Sequence, residues 1–193
     1  MIKPDSSRGL ALNGWQRIKR VDGNSLMSWG TQIQFKPSPK LLLNYSTFIG
    51  TDSPDSARLI RLFNNLYGIF NLSSRMYITA GIDIGIEDNS PDRNEKNTWL
   101  TPLLLVRYML SDKWAVAGRA EYYSDPNGVI INTGSPNGFK TMGISLNMDY
   151  WPTKNVLLRL EMRNLKSKDN IFLKEGTAKD NNAFISSSIA VSL

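Results

Sequence analysis

Apolar side chains recur at every second residue in this chain, and that period constrains the fold more than any other feature. From Met76 to Ile86, the residues Met76, Ile78, Ala80, Ile82, Ile84 and Ile86 fall on one face; Tyr77, Thr79, Gly81, Asp83 and Gly85 fall on the other. Successive side chains of a β-strand point to opposite faces, so the segment reads as an amphipathic strand. The pattern returns at 29–36, 114–123, 142–150 and 156–163. Less regular strands are expected at 10–17, 41–50, 62–71, 99–110 and 183–193, which makes ten. No segment combines a 3.6-residue period with helix caps. The expectation is an all-β chain, one domain over 1–193, with strands joined in sequence as antiparallel hairpins.

The connections carry a second signal. Short turns at 37–40, 72–75, 111–113 and 152–155 alternate strictly with longer, more polar links at 19–28, 51–58, 87–97, 124–140 and 167–182. A soluble up-and-down barrel buries its apolar face inside, whereas a membrane barrel turns it outward around a polar lumen. Alternation alone fits both. Three features favour the membrane. The polar faces carry Gly, Ser, Thr, Asn and Tyr with isolated charges, rather than the Lys and Glu of a water-facing strand. Short turns on one side and long loops on the other are the asymmetry of outer-membrane barrels. Aromatic residues (Trp29, Trp99, Tyr108, Trp114, Tyr122, Tyr150 and Trp151) gather at strand ends, as interface girdles require. The longest aliphatic run is 103–106, far short of the ~20 apolar residues of a membrane helix.

With the apolar face outward, the residues expected against lipid are Ile78, Ile82, Ile84, Val116, Ile144, Leu146, Leu158 and Leu160. The lumen lining is expected to include the cations Lys36, Arg107, Arg119, Arg159 and Arg163 and the anions Asp83, Glu121, Asp149 and Glu161. The pairs Arg119/Glu121 and Arg159/Glu161 should neutralise one another. Arg107 has no carboxylate two residues away on its own strand and is expected to be the uncompensated charge.

Several strings resemble the OmpL-like β-barrel porin family of Bacteroidota outer membranes. They are Asn13-Gly-Trp-Gln-Arg-Ile18, Phe48-Ile-Gly-Thr-Asp-Ser-Pro-Asp55, Ala80-Gly-Ile-Asp-Ile-Gly-Ile-Glu87, Arg119-Ala-Glu-Tyr-Tyr-Ser-Asp125 with Asn127-Gly-Val-Ile-Ile131, and Lys166-Ser-Lys-Asp169. The resemblance runs from about residue 10 to the end. It implies a transmembrane barrel in a bacterial outer membrane. Family members are about twice this length and carry a signal peptide, so the resemblance also implies that this is the C-terminal half of a larger barrel. That accounts for an N-terminus with no secretory signal. The last strand, with Ile185, Ile189, Val191 and Leu193 on one face, resembles the signal that outer-membrane assembly machinery reads, although the family pattern ends in Phe.

Composition limits the chemistry. With no His and no Cys, the chain has no Ser–His or Cys–His catalysis, thiolate chemistry or Cys/His metal site. Outer-membrane barrel hydrolases resemble one another in needing a His, so no enzyme activity, catalytic residue, metal or cofactor is expected. The loop 87–97 offers Glu87, Asp88, Asp92 and Glu95 as oxygen ligands for Ca²⁺, but reads better as a solvated external loop. The run Val129-Ile-Ile131 could fold into the lumen as a constriction or pack on a neighbouring loop. A net charge of +6 without a basic run among aromatics argues against nucleic acid; Lys19, Arg20, Lys168 and Lys174 suit lipid phosphates or water.

The leading functional expectation is passive passage of small hydrophilic solutes. About 8 strands leave an interior filled by side chains, and 16–18 leave an aqueous channel. Ten strands would conduct only with further strands or as a homo-oligomer. The alternatives are a closed barrel serving structure or adhesion through its loops, and a soluble lipocalin-like binding barrel.

Overall fold

Backbone pairing links each long strand to the next in a computed structural model of the chain, which describes residues 6–92 and 94–192. The strands are β1 (Ser6–Leu12), β2 (Ser28–Ser38), β3 (Leu41–Gly50), β4 (Arg61–Asn71), β5 (Met76–Asp88), β6 (Lys96–Met109), β7 (Trp114–Asp125), β8 (Phe139–Thr153), β9 (Val156–Ser167), the short β10 (Phe172–Lys174) and β11 (Thr177–Lys179), and β12 (Asn181–Val191). Ten of them form one antiparallel up-and-down sheet in the order β1-β2-β3-β4-β5-β6-β7-β8-β9-β12. Among the described residues its edges, β1 and β12, are not paired with each other. The only helical element among the described residues is a single 3-10 turn, Asp55–Ala57. Short and long connections alternate without exception, as the sequence predicts.

Two local features depart from the sequence expectation. The first strand lies earlier than 10–17. Gly14 at φ 143° and Gln16 at φ 53° turn the chain out of the sheet directly after β1. Within the last long link, β10 and β11 form a separate hairpin closed by Glu175 and Gly176, at φ 50° and 78°. Positive φ at both central residues is the geometry of a type I′ turn. The terminal residue, Leu193, lies outside the described residues.

The sheet is curled. Ile69 on β4 and Arg159 on β9 line one cavity, although four strands lie between them. In a flat sheet at ~4.8 Å per strand, these strands would stand about 24 Å apart. The concave face takes the odd-numbered residues of β5, β6, β7, β8 and β9. The convex face takes the even ones and carries exposed Ile84, Leu100, Leu104, Ile144, Leu146 and Leu160. The two faces have opposite chemistry, and the register of the ladders holds them apart.

Gly85 permits one tight contact on the concave face. A Cβ built there would lie 1.8 Å from the Trp99 ring, which covers it and is only 3% exposed. Gly85→Ala should displace Trp99 and destabilise the fold by about 1–3 kcal/mol. A urea titration after refolding into lipid vesicles would measure it, and an unchanged midpoint would refute the packing described.

Candidate functional site

The concave face carries the charge pattern that a functional reading must explain. Ladder register places its side chains in rows. One row runs Leu105, Arg119, Ser145, Arg163; the next runs Arg107, Ala117, Asn147, Glu161; the third runs Met109, Ala115, Asp149, Arg159. Asp149 is directly opposite Arg159, whose Nε and Nη2 donate to its two oxygens at 2.7 and 2.8 Å. A bidentate guanidinium–carboxylate pair is the strong form of such a contact. Asp149 is 1% exposed, and Asn147 Nδ2 also donates to it at 3.0 Å. The Arg107 Nη2 approaches it from the far side of β7, at 3.7 Å. In the adjacent cluster, Arg119 and Arg163 both donate to Glu121. Asp149 and Glu121 are therefore each shared by two arginines.

Two expectations require correction. Arg159 pairs with Asp149 rather than with Glu161, because a residue directly across the ladder is nearer than the next same-face residue on its own strand, ~6.6 Å along it. Arg107 is not without a carboxylate, because Asp149 comes to it from two strands away. It nevertheless makes no hydrogen bond among the described residues, and its Nε is buried without a partner. Arg119 does pair with Glu121 as expected. Asp83 accepts from Asn65 Nδ2 at 2.6 Å rather than from a cation. Glu161 and Lys36 make no ion pair among the described residues; Lys36 is exposed, where the β2–β3 register becomes irregular.

The residues singled out for the apolar face all lie on the convex side. Ile78, Ile82 and Ile84 come from β5, Val116 from β7, Ile144 and Leu146 from β8, and Leu158 and Leu160 from β9. Trp29, Tyr108, Trp114, Tyr122 and Tyr150 share that face, and Trp114 stacks on Tyr150 with ring centroids 4.4 Å apart. Trp99 and Trp151 do not. Trp99 is buried on the concave side, and the Trp151 ring lies 5.0 Å from the Arg107 guanidinium. Odd numbering on their strands carries them inward, where a buried contact and a cation–π partner are available.

At the long-loop end lies a cluster that the sequence reading passed over. Arg61 begins β4 and donates through Nε to Glu87 at 2.7 Å and through Nη1 to Asp52 at 3.3 Å. Its Cζ is 5.7 Å from the rings of both Trp15 and Trp99. Trp15 packs edge-on against Phe48 and Phe63, with centroids 5.1 and 4.6 Å away, and its backbone N–H donates to Asp52. The loop 13–27 is thereby folded over the concave mouth. The available signal was the string NGWQR itself, in which glycine directly precedes a large aromatic residue.

Carboxylates also organise the loops. Asp125, wholly buried, accepts from the backbone N–H groups of Val129, Ile130 and Ile131 at 2.8–2.9 Å. Asp169 accepts from the Asn137 backbone and side chain at 2.9 and 2.8 Å, which ties loop 126–138 to loop 168–180. The apolar run thus sits over the end of β7 in a loop stitched to its neighbour. In the 89–95 link, Asp92 is engaged by Ser90 and Asn94, Glu95 by Asn89, Asp88 by Lys96 and Glu87 by Arg61, so these carboxylates do not converge.

Asp55 clips loop 51–60 to loop 13–27. It accepts from Arg58 and from the Ser25 backbone, which lowers its carboxyl to about 2. A carboxyl lowered on folding stabilises the clip fully above its unfolded value, near 3.9, and loses that effect as pH falls through the folded value. The Ser25 amide chemical shift in micelles should therefore titrate with a midpoint of about 2. Asp55→Asn should abolish the transition, and a midpoint near 4 would remove the clip.

Comparison with known proteins agrees with this geometry. The family model described as "Putative beta-barrel porin-2, OmpL-like" matches residues 6–193. Two solved porin structures share the fold at low identity. An anion-selective porin from Comamonas acidovorans superposes with a TM-score of 0.68 at 13% identity, over 86% of this chain and 48% of that one. The chain thus spans about half the length of that porin. The NanC porin superposes with a TM-score of 0.57 at 10% identity, over 97% of this chain and 92% of that chain. No curated protein matches the sequence.

Proposed function

This chain belongs to the "Putative beta-barrel porin-2, OmpL-like" family, and from that premise we propose that it forms the wall of a passive outer-membrane pore for small hydrophilic solutes. The observation that carries the reading is the chemical opposition of the two faces. The concave one holds ion-paired arginines and carboxylates, and the convex one holds exposed aliphatic and aromatic side chains. A membrane barrel needs an apolar outer band and a polar lumen.

In this reading Lys36, Asp83, Arg107, Arg119, Glu121, Asp149, Arg159, Glu161 and Arg163 line the lumen. Ile78, Ile82, Ile84, Val116, Ile144, Leu146, Leu158 and Leu160 meet lipid. Trp29 and Tyr122 form the aromatic belt at the long-loop rim, and Tyr108, Trp114 and Tyr150 form the one at the short-turn rim. The short turns face the periplasm, and the final strand engages the outer-membrane assembly machinery. The role is non-enzymatic. Completing the wall takes further strands or further copies, a requirement consistent with the unpaired β1 and β12 edges.

If the convex face meets lipid, Ile84→Arg should cost ~2–4 kcal/mol at the bilayer midplane. Asp83→Asn, on the opposite face, should cost far less. Urea titration in vesicles separates them, and the reverse order would exchange inside and outside.

The pore should prefer anions weakly. Among the lumen residues named above on β6–β9, Arg107, Arg119, Arg159 and Arg163 stand against Glu121, Asp149 and Glu161, an excess of one positive charge, while Asp125 at the end of β7 is buried against loop N–H groups. Low-dielectric walls focus such an excess onto permeating ions. The Comamonas porin, anion-selective by its description, favours the same sign. In planar bilayers under a salt gradient, Arg107→Glu should move the reversal potential toward cations more than Arg119→Glu does, because Glu121 already holds Arg119. Equal shifts would refute this assignment.

A further inference from the structure

We infer that the concave wall holds a binding site for a small carboxylate with an apolar body, with Arg107 as its anchor. The inference rests on the porin reading for access, because a solute reaches this face through the lumen. The site is a cavity of about 450 Å³ shared by β4, β5, β6, β7, β8 and β9, within the usual ~300–1,000 Å³ of ligand pockets. Ile69, Leu105, Val106, Met109 and Ala117 supply the apolar part of its lining, and polar side chains complete it.

The polar groups around it are largely engaged. Asn71 Nδ2 donates to the Pro39 carbonyl, the Tyr77 hydroxyl to the Ser74 carbonyl, and Asn147 Nδ2 to Asp149. Arg159 is committed to Asp149 through two hydrogen bonds. Arg107 is the exception. Its one ion pair is at 3.7 Å to a carboxylate that already accepts from Arg159 and Asn147, its Nε is buried without a partner, and its side chain is 39% exposed. The Trp151 ring holds the guanidinium from one side. Glu161 stands on the same row beyond Ala117 and Asn147 and makes no ion pair with Arg107 among the described residues. A fixed cation with unengaged donors, at the edge of an apolar hollow, is complementary to a carboxylate whose remaining atoms are hydrocarbon. A planar carboxylate can accept two parallel N–H bonds from a guanidinium, and a neutral isostere cannot reproduce that charge-assisted pair.

Isothermal titration of the detergent-solubilised protein tests this without any current. Sodium benzoate is the probe, benzamide its neutral counterpart, and phosphate an anion lacking the apolar body. Benzoate should bind saturably, and benzamide and phosphate at least about tenfold more weakly. Arg107→Gln should weaken benzoate by at least about tenfold. Ala117→Leu fills the hollow and should abolish benzoate binding in a protein whose circular dichroism shows that the sheet still folds. Benzoate should also change the tryptophan emission, and Trp151→Phe should remove that change. Equal affinity for benzoate and benzamide, phosphate as tight as benzoate, or undiminished binding in a folded Ala117→Leu protein would overturn the site. A protein that binds benzoate but carries no current defeats the porin reading and keeps the site. One that conducts but does not bind defeats the site alone.

Discussion

Every feature of this molecule depends on strand-to-strand backbone pairing. In hydrocarbon an unpaired N–H or C=O costs several kcal/mol, because no water is present to replace the missing partner. Within the sheet the inner strands are paired on both sides, and β5 along nearly its whole length with both β4 and β6. That ladder also decides which side chains meet. A slip of one residue would exchange the two faces of a strand, moving Ile84 to where Asp83 now accepts from Asn65 and setting Arg119 among the isoleucines. The separation of charge from aliphatic surface is thus a property of register before it is a property of any single side chain.

Strands with strict alternation were readable from the sequence because a residue's face there depends only on parity. That is why β5, β7, β8 and β9 and the turns between them match expectation. Parity also corrects the reading where residue type was used instead: Trp99 and Trp151 suit an interface girdle by chemistry, but their odd numbers carry them to the concave side. The start of the chain was harder to read, because the alternation in LALNGWQR continues past the point where Gly14 and Gln16 turn the backbone away. Which carboxylate an arginine reaches was not legible at all. Asp149 and Arg159 are neighbours only through the β8–β9 register, and Asp149 and Arg107 only because β7 presents alanine between them. The Arg61 cluster escaped because it joins a strand terminus to a loop by contacts that have no period.

The small side chains of β7 shape the charged wall. Ala115 is completely buried beneath its neighbours, and Ala117 occupies the position between Arg107 and Asn147. Two low positions in succession let the Arg107 guanidinium of β6 lean over β7 toward the β8 carboxylate that Arg159 of β9 already holds. Bulkier residues there would hold the two arginines apart, each with a separate counter-charge. Sharing leaves each cluster one positive charge in excess without burying an unpaired ion, a compromise between solvation and selectivity.

The cations of this wall's clusters are all arginine, and the chain has no histidine. Guanidinium keeps its proton throughout the range in which cells grow, and it lacks the lysine amine that acetylation neutralises. The electrostatic character of these clusters is therefore written permanently into the sheet. In the proposed pore these clusters would offer no chemical dial, and traffic would be set by how many copies a cell inserts, or by what crosses the mouth under the folded loops.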